Sequence, residues 1–96
     1  MIRHTVIFTL KHASGSLQEK AFLRDAKVLA EIPGVKKFEQ LKQVSPKTDY
    51  RFGFSMEFTN QTAYDGYNEH PKHIAFVKDR WLREVEKFLE IDYVPV

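Results

Sequence analysis

The sequence contains no cysteine, which excludes disulfide bonds, thiol catalysis and cysteine-based zinc sites. Its four glycines form no glycine-rich loop of the kind that cradles phosphates. No stretch approaches the roughly 20 consecutive apolar residues that a transmembrane helix needs. The net charge of +2 is too small to indicate nucleic-acid binding. We therefore expect no membrane span and no nucleic-acid partner.

The amino-terminal segment is unlike a signal peptide, because Arg3 and His4 interrupt its apolar run and no small-residue cleavage site follows. A cytoplasmic location is therefore the expectation, and the lack of cysteine agrees with a reducing compartment. With 43% apolar and 14% aromatic residues, the 96-residue chain can bury one hydrophobic core. We expect a single domain over residues 1–96.

Four segments are predicted to be strands. Apolar and polar residues alternate over residues 2–11 and 50–59, as they do in strands with one buried face. Residues 35–44 form a lysine-rich strand, which is typical of a sheet edge. A last short strand is predicted over residues 89–94.

The first helix is predicted over residues 17–31. Ser16 and Glu19 form a capping box at its start, and Pro33 with Gly34 ends it. Its buried stripe is predicted to contain Phe22, Ala26 and Leu29.

A second helical region follows the third strand. Asn60 can cap a short helix over residues 61–67, and Pro71 suits the first turn of a longer one. The apolar residues of the longer helix recur at helical spacing, namely Ile74, Val77, Trp81, Val85 and Phe88.

The resulting order β-α-β-β-α-β predicts an α+β, ferredoxin-like fold: an antiparallel sheet, with strands two and four at its edges and two helices on one face. The apolar side chains of strands one and three must face the helices, because each contributes about 1.5–3 kcal/mol on burial. These side chains are Val6, Phe8, Phe52, Phe54 and Phe58.

The opposite sheet face carries small and semi-polar side chains, namely Thr5, Ile7, Thr9, Gly53 and Ser55. Small side chains would let a second sheet approach closely, so the pattern permits a homodimer through this open face. It equally permits a solvated face.

An RNA-recognition domain has the same element order, and residues 51–54 are similar to its aromatic motif. That motif would place both phenylalanines on the open face and Gly53, Ser55 and Glu57 in the core. Such a core would leave the sheet unpacked and bury an unpaired carboxylate. We therefore reject this interpretation.

Two histidines and a tyrosine are predicted to share a pocket. His4 lies on the helix-covered face of strand one, where an imidazole is unusual because burial disfavours its charged form. His73 begins the long helix and Tyr67 lies one loop earlier, so packing of that helix on strand one would bring the three together. Neutral imidazoles in such a pocket serve as general base and acid near neutral pH. Purely structural roles are the alternative.

The other two histidines are not predicted to be functional. His70 and His73 are three residues apart, but no carboxylate lies at the spacing of a zinc-binding HExxH helix, so no metal is expected. His12 is predicted to be solvated at the exposed end of strand one.

Four short motifs along the chain occur in the order seen in a known family. They are Ile2-Arg3-His4, Ile32-Pro33-Gly34-Val35, Tyr67-x-x-His70-Pro71-x-His73 and Ile91-Asp92-Tyr93. Together they resemble the stress-responsive A/B barrel (Dabb) family over essentially the whole chain. The resemblance implies a homodimeric α+β barrel, in which two sheets face each other, and no cofactor.

A plant polyketide cyclase of that family closes a ring by intramolecular aldol chemistry. The resemblance implies that His73 is a general base, that His4 is a positioning or electrophilic partner, and that Tyr67 lies in the same pocket. The ligand-binding walls that it implies are Val6, Phe8, Phe54 and Trp81. Asp25 stands where the cyclase has a pocket tyrosine, and Phe54 replaces a smaller aliphatic residue, so a smaller pocket is implied.

Two functions from different classes follow. One is a stress-associated homodimer whose histidines are structural or contact a small ligand. The other is a cofactor-free lyase or cyclase that acts on a small apolar carbonyl compound through His73 and His4. An oxygenase is disfavoured, since no flavin or haem motif is present. An accessible cavity above about 300 Å³ that reaches His73 would favour the enzyme, and a packed core would exclude it.

Overall fold

Strand β1 (Ile2–Leu10) lies in the interior of a four-stranded antiparallel sheet in the computed structural model, which describes residues 1–96. It pairs with β3 (Phe52–Phe58) on one side and with β4 (Val85–Tyr93) on the other. Strand β2 (Lys36–Lys42) pairs with β3, which gives the order β2-β3-β1-β4. The α+β, ferredoxin-like prediction is confirmed, and strands two and four lie at the edges.

Helix α1 (Leu17–Asp25) begins at the predicted capping box. The Ser16 hydroxyl accepts a hydrogen bond from the Glu19 amide at 3.2 Å, and the Glu19 carboxylate accepts one from the Gly15 amide at 2.9 Å. The predicted helix does not continue regularly to residue 31, because residues Ala26–Glu31 form a tighter 3-10 helix. Ile32, which directly follows this 3-10 helix, is buried.

The second helical region is divided into several short pieces. They are α2 (Gln61–Glu69), α3 (Pro71–Phe76), a π-helical turn (Val77–Trp81) and the single turn α4 (Leu82–Glu84). The Asn60 side chain accepts a hydrogen bond from the Ala63 amide at 2.9 Å, as its predicted role as a cap requires. None of the helices is long and apolar enough to cross a lipid bilayer.

The prediction that this region stays helical through Phe88 was wrong, because β4 begins at Val85. Val85 pairs with Leu10 and Phe88 pairs with Phe8. Their spacing fits a helix, but a longer helix would leave the backbone groups along the outer side of β1 without partners. Sheet pairing therefore decides where the strand begins.

The core lies between the sheet and the helices. Val6, Phe8, Phe54 and Phe58 are buried and Phe52 is half-buried, on the sheet face predicted to be covered. Residues of the helical segments form the other side of the core, and they include Phe22, Ala26 and Leu29 as predicted.

Ile74 does not belong to this core, and its predicted burial was wrong. It is 54% exposed, whereas Phe76 and Trp81 of the same helical region are buried. The π-helical turn interrupts the regular helical spacing between Ile74 and Trp81, so the two side chains do not share one face.

Candidate active site

A cavity of about 200 Å³ lies between the sheet and the second helical region. The three predicted polar residues, His4, Tyr67 and His73, all line it. Three of the four predicted wall residues line it as well, namely Val6, Phe54 and Trp81. The cavity is accessible and reaches His73, but it is smaller than the 300 Å³ that would favour an enzyme.

The fourth predicted wall residue, Phe8, does not line the cavity, so this prediction was wrong. Its side chain is fully buried, with its ring centre 4.8 Å from that of Phe54 and 4.9 Å from that of Trp81. These two rings and Phe22 pack around Phe8, which contributes no surface to the cavity.

His4 is held by two groups from distant parts of the chain. The β1–β4 register places it opposite Asp92, and its Nδ1 lies 2.6 Å from Asp92 Oδ1 and 2.8 Å from the Tyr64 hydroxyl oxygen. The Tyr64 hydroxyl donates to Asp92 Oδ2 at 2.8 Å. Because a carboxylate only accepts, His4 Nδ1 carries the hydrogen and donates it. In the neutral ring, Nε2 is then left with a lone pair and no protein partner.

His73 is oriented by the backbone of α2. Its Nδ1 donates to the Asn68 carbonyl oxygen at 3.1 Å, so Nε2 of the neutral ring again keeps a lone pair. Burial lowers the pKa of His73, and the charge of His4 lowers it further, while the bond to Asn68 opposes both. His73 is therefore neutral at pH 7 and suited to accept a proton.

Tyr67 lies between the two imidazoles, with its ring centre 6.1 Å from that of His4 and 4.5 Å from that of His73. Burial raises the pKa of this phenol well above its usual value, and the negative charge of Glu90 adds to the rise. Tyr67 thus keeps its proton, and no protein group accepts a hydrogen bond from it. The cavity therefore offers two imidazole lone pairs and one free hydroxyl donor to a ligand.

The sequence profile described as Stress responsive A/B Barrel Domain (Dabb) matches residues 2–95, which is nearly the whole chain. The chain belongs to the Dabb family. This match confirms the family that the four short sequence motifs indicated. No curated protein sequence matches significantly.

Solved structures extend this result. A Dabb family protein from Mesorhizobium loti with a ferredoxin-like fold is 71% identical, with a TM-score of 0.98 over 99% of this chain and 96% of that one. A dimeric ferredoxin-like protein from Bacteroides fragilis is 23% identical, with a TM-score of 0.73 over 96% and 93%. A hydroxynitrile lyase from Passiflora edulis is 16% identical, with a TM-score of 0.81 over 99% and 93%. The last two share the fold.

Several side chains at the site of this Dabb domain were not predicted, among them Tyr64, Phe88, Glu90 and Asp92. Phe88 lines the cavity because β4 begins earlier than expected, whereas Glu90 lies within the predicted strand but was not assigned to the cavity. Asp92 lies opposite His4 in the sheet, so a carboxylate on the covered face of β4 was a signal that strand alternation could have revealed. Tyr64 lies one turn before Tyr67 on α2, and this spacing places both on one helix face.

The remaining candidates lie outside the cavity. His12 is not solvated as predicted, because its Nε2 lies 2.7 Å from Glu84 Oε1. His70 caps α3, with its Nδ1 accepting a hydrogen bond from the Lys72 amide. Asp25 pairs with Arg80 rather than reaching the cavity. No group of three or more His, Cys, Asp or Glu side chains is placed to hold a metal ion.

Proposed function

We propose that this Dabb domain forms a homodimer and binds a small apolar molecule in the cavity between His4 and His73. The observation that carries the proposal is the cavity itself, because ten of its thirteen lining residues are hydrophobic and two of the others are the imidazoles. An apolar cavity of about 150 Å³ accepts a molecule of benzene. A cavity of about 200 Å³ therefore suits a single ring that carries a carbonyl group.

Binding is tested by titrating the protein with benzaldehyde and following the side-chain signals of His4, His73 and Trp81 by NMR. We expect all three to shift and to saturate together, while His12 and His70, which lie outside the cavity, stay in place. A Val77→Trp variant, which fills the cavity from its lining, should lose the shifts. Unshifted signals at millimolar benzaldehyde would contradict the proposal.

The open sheet face supports the homodimer. Gly53 and Ser55 on β3 leave room for close approach, and β4 adds three partly exposed apolar side chains to the same face, Leu89, Ile91 and Tyr93. A second copy would remove this apolar surface from water, and a stable interface needs about 800 Å² from each partner. The dimeric Bacteroides fragilis protein has the same fold.

A lysine on the β4 part of this face should prevent assembly. We expect the wild-type protein to sediment as a dimer and Leu89→Lys to sediment as a monomer, because an unpaired charge would be buried. The matched control is Leu17→Lys, which replaces an exposed leucine on the helix side and should stay dimeric. A monomeric wild type, or a dimeric Leu89→Lys protein, would contradict this arrangement.

A second function is favoured by the unpaired groups of the site: a cofactor-free lyase or cyclase acting on a small apolar carbonyl compound. His73 Nε2 would accept the proton that the reaction removes. The Tyr67 hydroxyl would donate to the carbonyl oxygen as negative charge develops on it. Asp92 fixes the orientation of the His4 ring through Nδ1, so His4 would position the substrate through Nε2. The Passiflora edulis lyase shares the fold that would support such chemistry.

This second function is tested on the proton transfer that begins an aldol reaction. Acetophenone in D2O should exchange its methyl protons faster with the protein than with buffer, as followed by proton NMR. His73→Gln should lower the catalysed rate by about 10²–10⁴-fold, the usual contribution of a general base. His70→Gln is the control and should keep the rate. A catalysed rate that His73→Gln leaves unchanged would refute the assigned role.

A further inference from the structure

Glu90 is the only lining residue of the cavity with a formal charge at neutral pH when the histidines are neutral. It lies on β4 opposite Val6, on the sheet face that the cavity occupies. No lysine or arginine lines the cavity, and Glu90 forms no ion pair. The carboxylate therefore adds an uncompensated negative charge to a mainly apolar site.

Two basic side chains of the second helical region are already engaged in ion pairs. Arg80 is paired with Asp25 and Glu84, and Lys72 is paired with Glu31. Any positive charge on His4 is balanced by Asp92, which lies in contact with it. Because no lysine or arginine lines the cavity, an anionic ligand there would contact no cationic side chain other than a protonated histidine.

The same negative charge acts on the groups that would contact a ligand. Glu90 raises the pKa of Tyr67, and it opposes the lowering of the pKa of His73. Glu90 is thus close enough to influence both the hydroxyl and the imidazole that face the cavity.

We propose that the cavity accepts neutral carbonyl compounds and rejects organic carboxylates, and that Glu90 is the residue that sets this selectivity. Two physical effects act together. A carboxylate that enters an apolar site loses its hydration and needs a counterion that is absent here. It also meets the repulsion of Glu90, which falls with distance and with salt. The inference rests on the proposed binding function and adds the charge class of the ligand.

Benzaldehyde and benzoate provide a matched pair of ligands, because they share one ring and differ in charge. Their dissociation constants are measured by NMR from the shifts of Trp81 and His73 at pH 7.5 and low salt. We expect benzoate to bind the wild-type protein at least about tenfold more weakly, which corresponds to about 1.4 kcal/mol.

Glu90→Gln should lower the ratio of the two dissociation constants severalfold, because removing the charge should strengthen benzoate binding more than benzaldehyde binding. The control is Glu86→Gln, which changes the net charge equally on the same strand but lies outside the cavity lining. It should leave both affinities unchanged. Added salt should narrow the wild-type difference between the two affinities, because Glu90 is exposed to solvent.

The outcomes separate the two proposals. If neither ligand binds, the proposed function fails, and the inference fails with it. If benzaldehyde binds and benzoate binds equally well, the function stands and the charge selectivity is refuted. If benzoate is rejected but Glu90→Gln leaves the difference unchanged, Glu90 is not the selecting residue and the inference is overturned.

Discussion

At the scale of single residues, the site depends on which atoms of His4 and His73 are already engaged. Each ring uses Nδ1 to donate a hydrogen bond to a protein acceptor, Asp92 for His4 and the Asn68 carbonyl for His73. This shared arrangement leaves Nε2 of both neutral rings to a ligand. The sequence predicted that both histidines lie at the site. It did not predict that Asp92 orients His4 or that the Asn68 carbonyl orients His73.

The tautomer of His4 should depend on Asp92. In the wild-type protein we expect the neutral ring to carry its hydrogen on Nδ1, as seen from the nitrogen-15 chemical shifts of labelled histidine. Asp92→Ala removes the acceptor and should increase the fraction of rings with the hydrogen on Nε2. Asp65→Ala, at an exposed aspartate of α2, is the control and should leave His4 unaffected. An unchanged tautomer in Asp92→Ala would show that Asp92 does not orient the ring.

His73 should make the stability of the fold depend on pH. Its pKa is lowered from the ordinary 6.5 by folding, so the unfolded chain binds the proton more readily. Stability should therefore fall as pH decreases through 6.5 towards the lower folded-state pKa, and the loss should be complete below that value. Urea unfolding between pH 7.5 and 5 should show a smaller loss for His73→Gln than for the wild type. His70→Gln should follow the wild type, and parallel curves for all three proteins would contradict the assignment.

At the scale of secondary-structure elements, the π-helical turn Val77–Trp81 has the largest influence on the site. Turns of this kind are rare and occur frequently at functional sites. Here the turn ends at Trp81, whose ring packs 4.9 Å from Phe8 and 5.5 Å from Phe88 between ring centres. Regular helical spacing predicted Trp81 as an inward residue, but it also predicted Ile74 and a helix through Phe88. The error at Ile74 arose because apolar spacing does not reveal an extra residue in a turn, whereas the error at Phe88 arose because pairing with β1 starts the strand earlier.

Trp81→Ala should destabilise the domain by about 3–5 kcal/mol, the usual cost of removing a large buried aromatic side chain. Urea unfolding measures the change in the free energy of unfolding. The neighbouring Leu82→Ala is a suitable control, because Leu82 is 66% exposed and such surface changes usually stay within about 0.5 kcal/mol. Similar losses for the two variants would show that the ring does not close the core.

At the scale of the whole molecule, one face of the sheet is covered by helices and the other is open. This division followed from the sequence, because alternation in β1 and β3 separates large apolar side chains from small ones. The exposed apolar residues of β4 on the open face were not expected. Their position depends on the β1–β4 register, which pairs Ile7 with Leu89 and Thr5 with Ile91.

Assembly through this face should link thermal stability to protein concentration. Since only the folded chain can dimerise, each tenfold increase in concentration should raise the melting temperature by a few degrees, about 3–6 °C for a domain of this size. Leu89→Lys should melt at a temperature that does not change with concentration, whereas Leu17→Lys should behave as the wild type does. A melting temperature independent of concentration in the wild type would argue for a monomer.

The sequence by itself determined the order of the elements, the covered sheet face, the caps at Ser16 and Asn60, and the presence of His4, Tyr67 and His73 around one space. The first three features depend on local periodicity and capping, which short stretches of chain specify, whereas the meeting of the three side chains follows from the packing of the helical region on β1. Only the tertiary structure decided that β4 begins at Val85, that Phe8 is sealed from the cavity, and that Tyr64 and Asp92 hold His4. Asp92 and Tyr64 lie 88 and 60 residues from His4 along the chain, so their contact depends on strand register and helix packing rather than on any local pattern.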